Sequence, residues 1–379
     1  GKGGLVAKPK RGPQITDHRM DLRGGNWKIQ RVSEVTDDGL TISRPGYAND
    51  NWLAATVPGT VLVSYRNAGA LPDPNFGDNQ LMISESFFNS DFWYRNEFDV
   101  PAGFKGERMF LNFDGINWKA DVFVNGQKAG KIEGGFIRGK FDVTDFVIPG
   151  RKNALAVLII KNDNIGVIKE QTALSPDKNG GVLGADNPTF HASIGWDWIP
   201  TIRGRNIGIW NDVWLKVTGV VTIEDPFVLT DLMLPDTTSA DVNIEVTLRN
   251  HLPEAVTGTL TGKFGDISIE QKVTLDSFAS AVVRLNPSTH LGLRIKNPKL
   301  WWPKGYGEPN LYDVELAFMT GDGTPSDQTS FKSGVREMSF TEENQILNLY
   351  INGRRFISRG GNWGFSESNL NYRGREYDI

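Results

Sequence analysis

The chain has 379 residues, a formal net charge of −4, 39% hydrophobic and 23% charged content, and no cysteine. That length predicts two or three domains with separate cores. The composition excludes a disulfide framework and Cys-ligated zinc or thiol chemistry. The only basic stretch, residues 8–11, is too short to argue for a nucleic-acid partner. No apolar run is long enough to span a membrane as a helix. The first residue is Gly1 rather than Met, so the start reads as cut or processed and any signal peptide falls outside view. A cysteine-free chain suits a secreted or periplasmic protein as well as a cytosolic one.

Nearly every local signal is β. A short helix is predicted within 57–70, opening after Pro58-Gly59. Residues 92–100 mix aromatic and polar side chains and stop at Pro101, as a strand does. In 108–113, Met109, Leu111 and Phe113 share one strand face. Residues 120–124 run into Asn125-Gly126, the strongest short hairpin signal. Strand-like 141–146 leads to the turn Pro149-Gly150, and the continuous apolar run 154–160 predicts a central strand covered on both faces. Many short strands between turns favour a sandwich or jelly roll. From about 163 to 201 the rhythm fails, which predicts a long insertion or loop, of a length that is usually functional or disordered. It resumes over 208–215, expected to be the last strand of the first domain, with Trp210 and Trp214 in its core.

Texture changes at Val220. Residues 241–250 alternate cleanly, and 257–264, 267–275 and 279–285 repeat the pattern, with 299–303 and 310–316 completing a second sandwich of about 110 residues. After Arg336, residues 347–351, the turn Asn352-Gly353 and 356–358 predict a hairpin entering a further element. The rest is too short for a third core.

The long loop carries the most chemistry. Residues 193–200 read Ser-Ile-Gly-Trp-Asp-Trp-Ile-Pro, placing Asp197 between two indoles. Indole faces stack on sugar C–H surfaces and a carboxylate accepts hydroxyl pairs, although tryptophans also fill sandwich cores. Other carboxylate pairs, Asp142 with Asp145 and Glu224 with Asp225, fall at strand ends or turns, where they are normally solvated. His18, His191, His251 and His290 show no metal-ligand spacing, and Asp186 with His191 reads as a loop hydrogen bond. Arg203 and Arg205 either grip an anionic sugar or tie the loop down, the second being the simpler role. No catalytic residue, metal site or cofactor is expected in this chain.

A set of motifs in one order carries a resemblance: Val57-Pro58-Gly59-Thr60, Phe92-Trp93-Tyr94-Arg95, Asp114-Gly115-Ile116 and Val122-Phe123-Val124-Asn125-Gly126 come first. Gly195-Trp196-Asp197-Trp198, Asn206-Ile207-Gly208-Ile209-Trp210 and Leu300-Trp301-Trp302-Pro303-Lys304-Gly305-Tyr306-Gly307 follow. Together they resemble the N-terminal half of glycoside hydrolase family 2, in the branch of β-mannosidases, plant endo-β-mannosidases and exo-β-glucosaminidases. The resemblance implies a mainly β fold with a jelly-roll sugar-binding domain (1–219), then an immunoglobulin-like sandwich (220–335). The start of a (β/α)₈ barrel (336–379) follows, cut before completion. It implies retaining hydrolysis by two barrel glutamates lying beyond Ile379, so this chain alone is expected to be inactive. It further implies that Trp196, Asp197 and Trp198, with Asn362 and Trp363, bind substrate. Ile199 stands where many β-mannosidases have Gly, which leaves the sugar open. The implied partners are a β-linked oligosaccharide or glycoside and the missing barrel in cis, with neither nucleic acid nor a membrane span. The alternative is a stand-alone carbohydrate-binding or scaffold module.

Overall fold

The computed structural model describes residues 18–74, 76–163, 203–204 and 206–361. These residues are mainly β, and they divide after Val217 into two compact units.

In the first unit a six-stranded antiparallel sheet runs in the order Leu53–Ala54, Lys28–Arg31, Phe92–Asp99, Lys152–Ile160, Lys119–Val124, Gln127–Glu133. A four-stranded sheet has the order Arg19–Asp21, Val213–Thr218, Arg108–Phe113, Gly139–Asp142. Side chains alternate across a strand, and the two faces of Lys152–Ile160 serve two different cores. Leu155, Val157 and Ile159 join Tyr94, Val122, Met109, Leu111, Phe113, Val213 and Leu215 in the main core. Ala156 and the partly buried Leu158 face a second cluster with Trp93, Phe123, Ile42 and Trp52, supplied partly by the segment 32–52 that covers the outer face. That double coverage is why the run 154–160 is apolar throughout. The hairpin forms where expected, with Asn125 at φ 48° and Gly126 at φ 81°, the left-handed pair that a two-residue turn requires. The predicted helix is Val61–Asn67, and Thr60 caps it by accepting from the Val63 N–H at 3.3 Å.

The 32–52 cover is held by a buried charge. Arg95 is 2% exposed and donates from Nε to the Ile42 carbonyl at 2.9 Å and from Nη2 to the Arg44 carbonyl at 2.9 Å. Nη2 also reaches Glu97 Oε1 at 2.5 Å, and the Gly46 N–H donates to the same oxygen at 2.6 Å. Sequence alternation gives no warning of this, because the cover is irregular and contributes only a 3₁₀ turn, Val32–Glu34, and one short α-helix, Gly39–Ile42.

Two expectations are corrected here. Residues 208–215 are not one strand: Gly208–Ile209 pairs with Gly59–Thr60 in a two-stranded sheet, and Val213–Thr218 belongs to the four-stranded one. Trp210 lies between them, half-buried, and Trp214 is not core. Val213, Leu215 and Val217 take the inward positions of their strand, so the period of two turns Trp214 outward.

The second unit holds two four-stranded antiparallel sheets. One has the order Val221–Leu232, Ser239–Asn250, Ser280–Leu285, with Arg294–Lys296 also on Ser239–Asn250; the other runs Ile267–Leu275, Val256–Phe264, Tyr312–Thr320, Pro325–Ser333. Ala240, Val242, Ile244, Val246 and Leu248 alternate into its core against Leu260, Phe264, Leu316 and Phe318. A three-stranded sheet, Met338–Glu343, Ile346–Ile351, Arg354–Phe356, completes the unit, with Asn352-Gly353 as its second turn. Its approach is fixed by the Leu232 N–H donating to Glu337 at 2.8 Å and by Asn352 Nδ2 donating to the Trp301 carbonyl at 3.1 Å.

Candidate functional site

The predicted substrate residues Trp196, Asp197, Trp198, Asn362 and Trp363 lie outside the described residues, as do Asp186, His191 and Arg205. What the structure does describe is the two ends from which the long segment 164–202 departs and returns.

The departing end follows the central strand Lys152–Ile160, through Asn162 and Asp163. The returning end comprises residues 203–204 and 206–212. Between them residues 114–117 lie antiparallel to 208–212. The Asn117 N–H donates to the Gly208 carbonyl at 3.0 Å and Gly208 returns the bond at 2.9 Å, while the Asp114 N–H reaches the Asp212 carbonyl at 2.9 Å. Two glycines make this approach possible. A Cβ on Gly115 would lie 2.6 Å from the Trp210 indole. At Gly208 (φ 137°) a Cβ would meet the Thr60 Cα and the Val61 nitrogen at 2.9 Å each. Backbone cannot yield as a side-chain tip can, so the glycine of Asn-Ile-Gly-Ile-Trp is a spatial necessity, while that of Asp-Gly-Ile-Asn makes room for the Trp210 ring.

Hydrogen-bonding capacity is left over here. Asn117 is fully buried and donates from Nδ2 to the Asn206 carbonyl at 2.8 Å, yet its Oδ1 has no partner among the described residues. Among the described residues, the buried Trp118 indole N–H has no acceptor, and both amide atoms of Asn162, 1% exposed, have no partner. Lys119 lies against the Trp118 ring, with Nζ 4.1 Å from the centroid and 2.7 Å from Asp163 Oδ2. A buried polar group left unpaired costs about 1–3 kcal/mol, so several around one loop root call for further polar partners there.

Beside them, Asp114 accepts from Trp214 Nε1 at 3.1 Å, and the Arg19 guanidinium covers the Trp214 ring at 4.1 Å. Burial is the main influence on Asp114 and pushes its carboxyl pKa up. The Asp212 charge adds to the rise, and the Trp214 bond and Arg19 partly offset it.

Other sequence candidates resolve into local structure. Arg203 donates from Nη1 to the Ile83 carbonyl at 2.9 Å, a tie at the loop root. Asp142 accepts from the Thr144 N–H at 3.0 Å and pairs with Arg108 at 3.5 Å, as a turn residue does. Glu224 pairs with Arg249 at 3.3 Å, and Asp225 sits at φ 45° in a bulge of its strand. His251 contacts Thr222 and His290 contacts Thr289. Among the described residues, no group of three or more His, Asp or Glu could hold a metal ion, and no helix is long and apolar enough to cross a membrane. Sequence reasoning passed over Asn117, Trp118 and Asn162. The available signal was an asparagine and a tryptophan directly after the Asp-Gly-Ile motif, and an asparagine closing an apolar strand.

The order of units and motifs matches known proteins. Residues 27–211 fit the family model described as glycosyl hydrolase 2 galactose-binding domain-like, and residues 221–336 fit that of glycosyl hydrolases family 2. The chain belongs to glycoside hydrolase family 2. This family 2 chain is 30% identical over 346 residues to an exo-β-D-glucosaminidase of Streptomyces avermitilis, covering 90% of the chain and 35% of that relative. To a mannosylglycoprotein endo-β-mannosidase of Lilium longiflorum it is 32% identical over 367 residues, covering 93% and 38%. Among solved structures it is similar to the exo-chitosanase of Amycolatopsis orientalis, with a TM-score of 0.77 and 27% identity over 94% of the chain and 38% of that protein. A β-D-mannosidase from Dictyoglomus thermophilum gives a TM-score of 0.68 at 27% identity, covering 93% and 41%. The chain thus spans well under half the length of these relatives.

Proposed function

We propose that this chain is the non-catalytic N-terminal region of a retaining β-glycosidase acting on β-mannosides or β-glucosaminides. The observation that carries the reading is the match along about nine-tenths of the chain to relatives named for those two activities. On this reading residues 1–219 form a jelly-roll sugar-binding domain, 220–335 an immunoglobulin-like domain, and 336–379 the start of a (β/α)₈ barrel. The two catalytic glutamates then belong to the barrel. One protonates the departing glycosidic oxygen while the other attacks the anomeric carbon. Water next cleaves the glycosyl-enzyme ester, with the first glutamate accepting its proton.

This chain's contribution is to the substrate subsite. Asp197 accepts sugar hydroxyls, Trp196 and Trp198 wall the sugar, and Asn362 and Trp363 line the same pocket. The two acceptors and two donors at Asn117, Trp118 and Asn162 that have no partner among the described residues support a polar ligand or ordered water at the loop root. Replacing Asp197 by Ala in the complete enzyme tests the reading. A lost hydrogen bond to a charged group is worth about 1.5–3 kcal/mol, so kcat/KM should fall roughly 10- to 100-fold on the better of aryl β-mannoside and β-glucosaminide. Unchanged turnover would remove Asp197 from the subsite.

A further inference from the structure

A second feature of the first unit lies well away from the loop root. On the outer face of the six-stranded sheet, a cleft of about 450 Å³ opens between the strands and the edge of the 32–52 cover. Its sheet side presents Lys28, Arg95, Glu97, Asp99 and Lys152, and its other wall is formed by residues 46–50 with Asn26. The central strand connects the two places. Lys152 begins that strand and Ile160 ends it, so its eight steps place the cleft about 26 Å from the end that leads to Asp163.

We propose that this cleft binds an uncharged β-linked oligosaccharide, as a site separate from the subsite at the 164–202 loop. Three observations carry the inference. The cleft is pre-organised: Arg95 is fixed by three oxygen acceptors, and its Nη1 has no partner among the described residues. The bond from Tyr47 to Asp37 at 2.9 Å and its edge contact with Trp52 hold an aromatic ring in the wall. A rigid site loses little entropy on binding.

The cleft also balances its charges, with Lys28, Arg95 and Lys152 against Asp50, Glu97 and Asp99. That balance favours neither an anion nor a cation. It suits a ligand whose hydroxyls donate to carboxylates and accept from ammonium and guanidinium groups. Finally, Asn26, Lys28 and Asn49 line the cleft without any side-chain bond among the described residues, so their donors are available. The site's ligand class rests on the proposed function; its location does not.

The test is a saturation-transfer NMR titration of the 379-residue chain with β-1,4-mannotetraose. It is repeated for the Lys28→Ala/Asn49→Ala double variant, for Asp197→Ala, and with a β-1,4-glucosamine tetramer. The two cleft side chains are half-buried and make no side-chain bond among the described residues, and thermal unfolding confirms that the variant folds. The site predicts a millimolar Kd for the mannotetraose that is insensitive to salt, rises about tenfold or more in the double variant, and is unchanged in Asp197→Ala. The cationic glucosamine tetramer should bind no more tightly. Absence of transfer to the wild type, or a Kd unchanged in the folded double variant, overturns the cleft. Binding lost in Asp197→Ala alone also overturns it, while leaving the loop subsite in place. Conversely, binding at the cleft survives a failure of the Asp197 reading.

Discussion

Replacing Gly208 by Ala tests whether the loop root is built by close backbone approach. A Cβ there meets Tyr94 Oη at 2.8 Å, and the Thr60 Cα and Val61 N at 2.9 Å each. The last two belong to the capped start of the helix Val61–Asn67 and cannot move without breaking the Gly208–Thr60 pairing. Overpacking costs about 1–3 kcal/mol, and an L-residue at positive φ adds about 1–2 kcal/mol, so about 3 kcal/mol is expected. For a unit of this size that lowers its Tm by roughly 6–12 °C. The control is Gly69→Ala, also at positive φ (80°) but facing open space, which carries only the backbone cost of about 1 kcal/mol. Hydrogen exchange read on peptides from 92–99 and 152–160 isolates the first unit from the second. A Gly208→Ala protein no less stable than Gly69→Ala would refute the close-approach account.

Arg95→Met should destabilise the first unit by about 3–5 kcal/mol, because two carbonyls and Glu97 lose their buried donor. Exchange in residues 38–52 should rise most, and native protection there would contradict the clamp. For Glu97, burial tends to raise the pKa, but the bonds from Arg95 and the Gly46 N–H outweigh it and hold it below the usual carboxylate value. A lowered folded pKa gives stability that is present above the unfolded pKa and lost as pH falls through the folded one. The Tm gap between wild type and Glu97→Gln should therefore be open at neutral pH and close in acid; a gap constant with pH refutes this. Asp114 has the opposite sign: its raised pKa means stability is lost as pH rises through the folded value. Asp114→Asn keeps an acceptor for Trp214 and should raise Tm at neutral pH but not in acid, whereas a lower Tm at neutral pH would contradict it. Trp214→Ala should cost about 1–2 kcal/mol by urea unfolding, against about 3–5 kcal/mol for Trp27→Ala at a site 1% exposed. Equal costs would return Trp214 to the core.

Strands with turn residues at both ends were legible, since Asn125-Gly126 and Asn352-Gly353 force the chain back and alternation does the rest. The strand Ser239–Asn250 shows this most cleanly, with every second residue buried. Trp214 lies in a strand that does contribute to the core, but the smaller Val213, Leu215 and Val217 fix which face of it points inward, and Trp214 falls on the other. Arg95 was hidden for a different reason. Its partners are carbonyls of an irregular segment some fifty residues earlier, and no local period encodes such a bond. The same holds for Asn117, Trp118 and Asn162, where the informative property is a partner missing among the described residues. Hydrogen-bond satisfaction belongs to the fold and not to any residue type.

On the proposed function, this family 2 chain serves a β-glycosidase without performing its chemistry. The most direct measurement assays the 379-residue chain beside its complete reading frame on aryl β-mannoside, β-glucosaminide, β-galactoside and β-glucuronide. The account predicts turnover of a mannoside or glucosaminide by the complete protein and none by the chain alone. Hydrolysis by the 379-residue chain itself would contradict it.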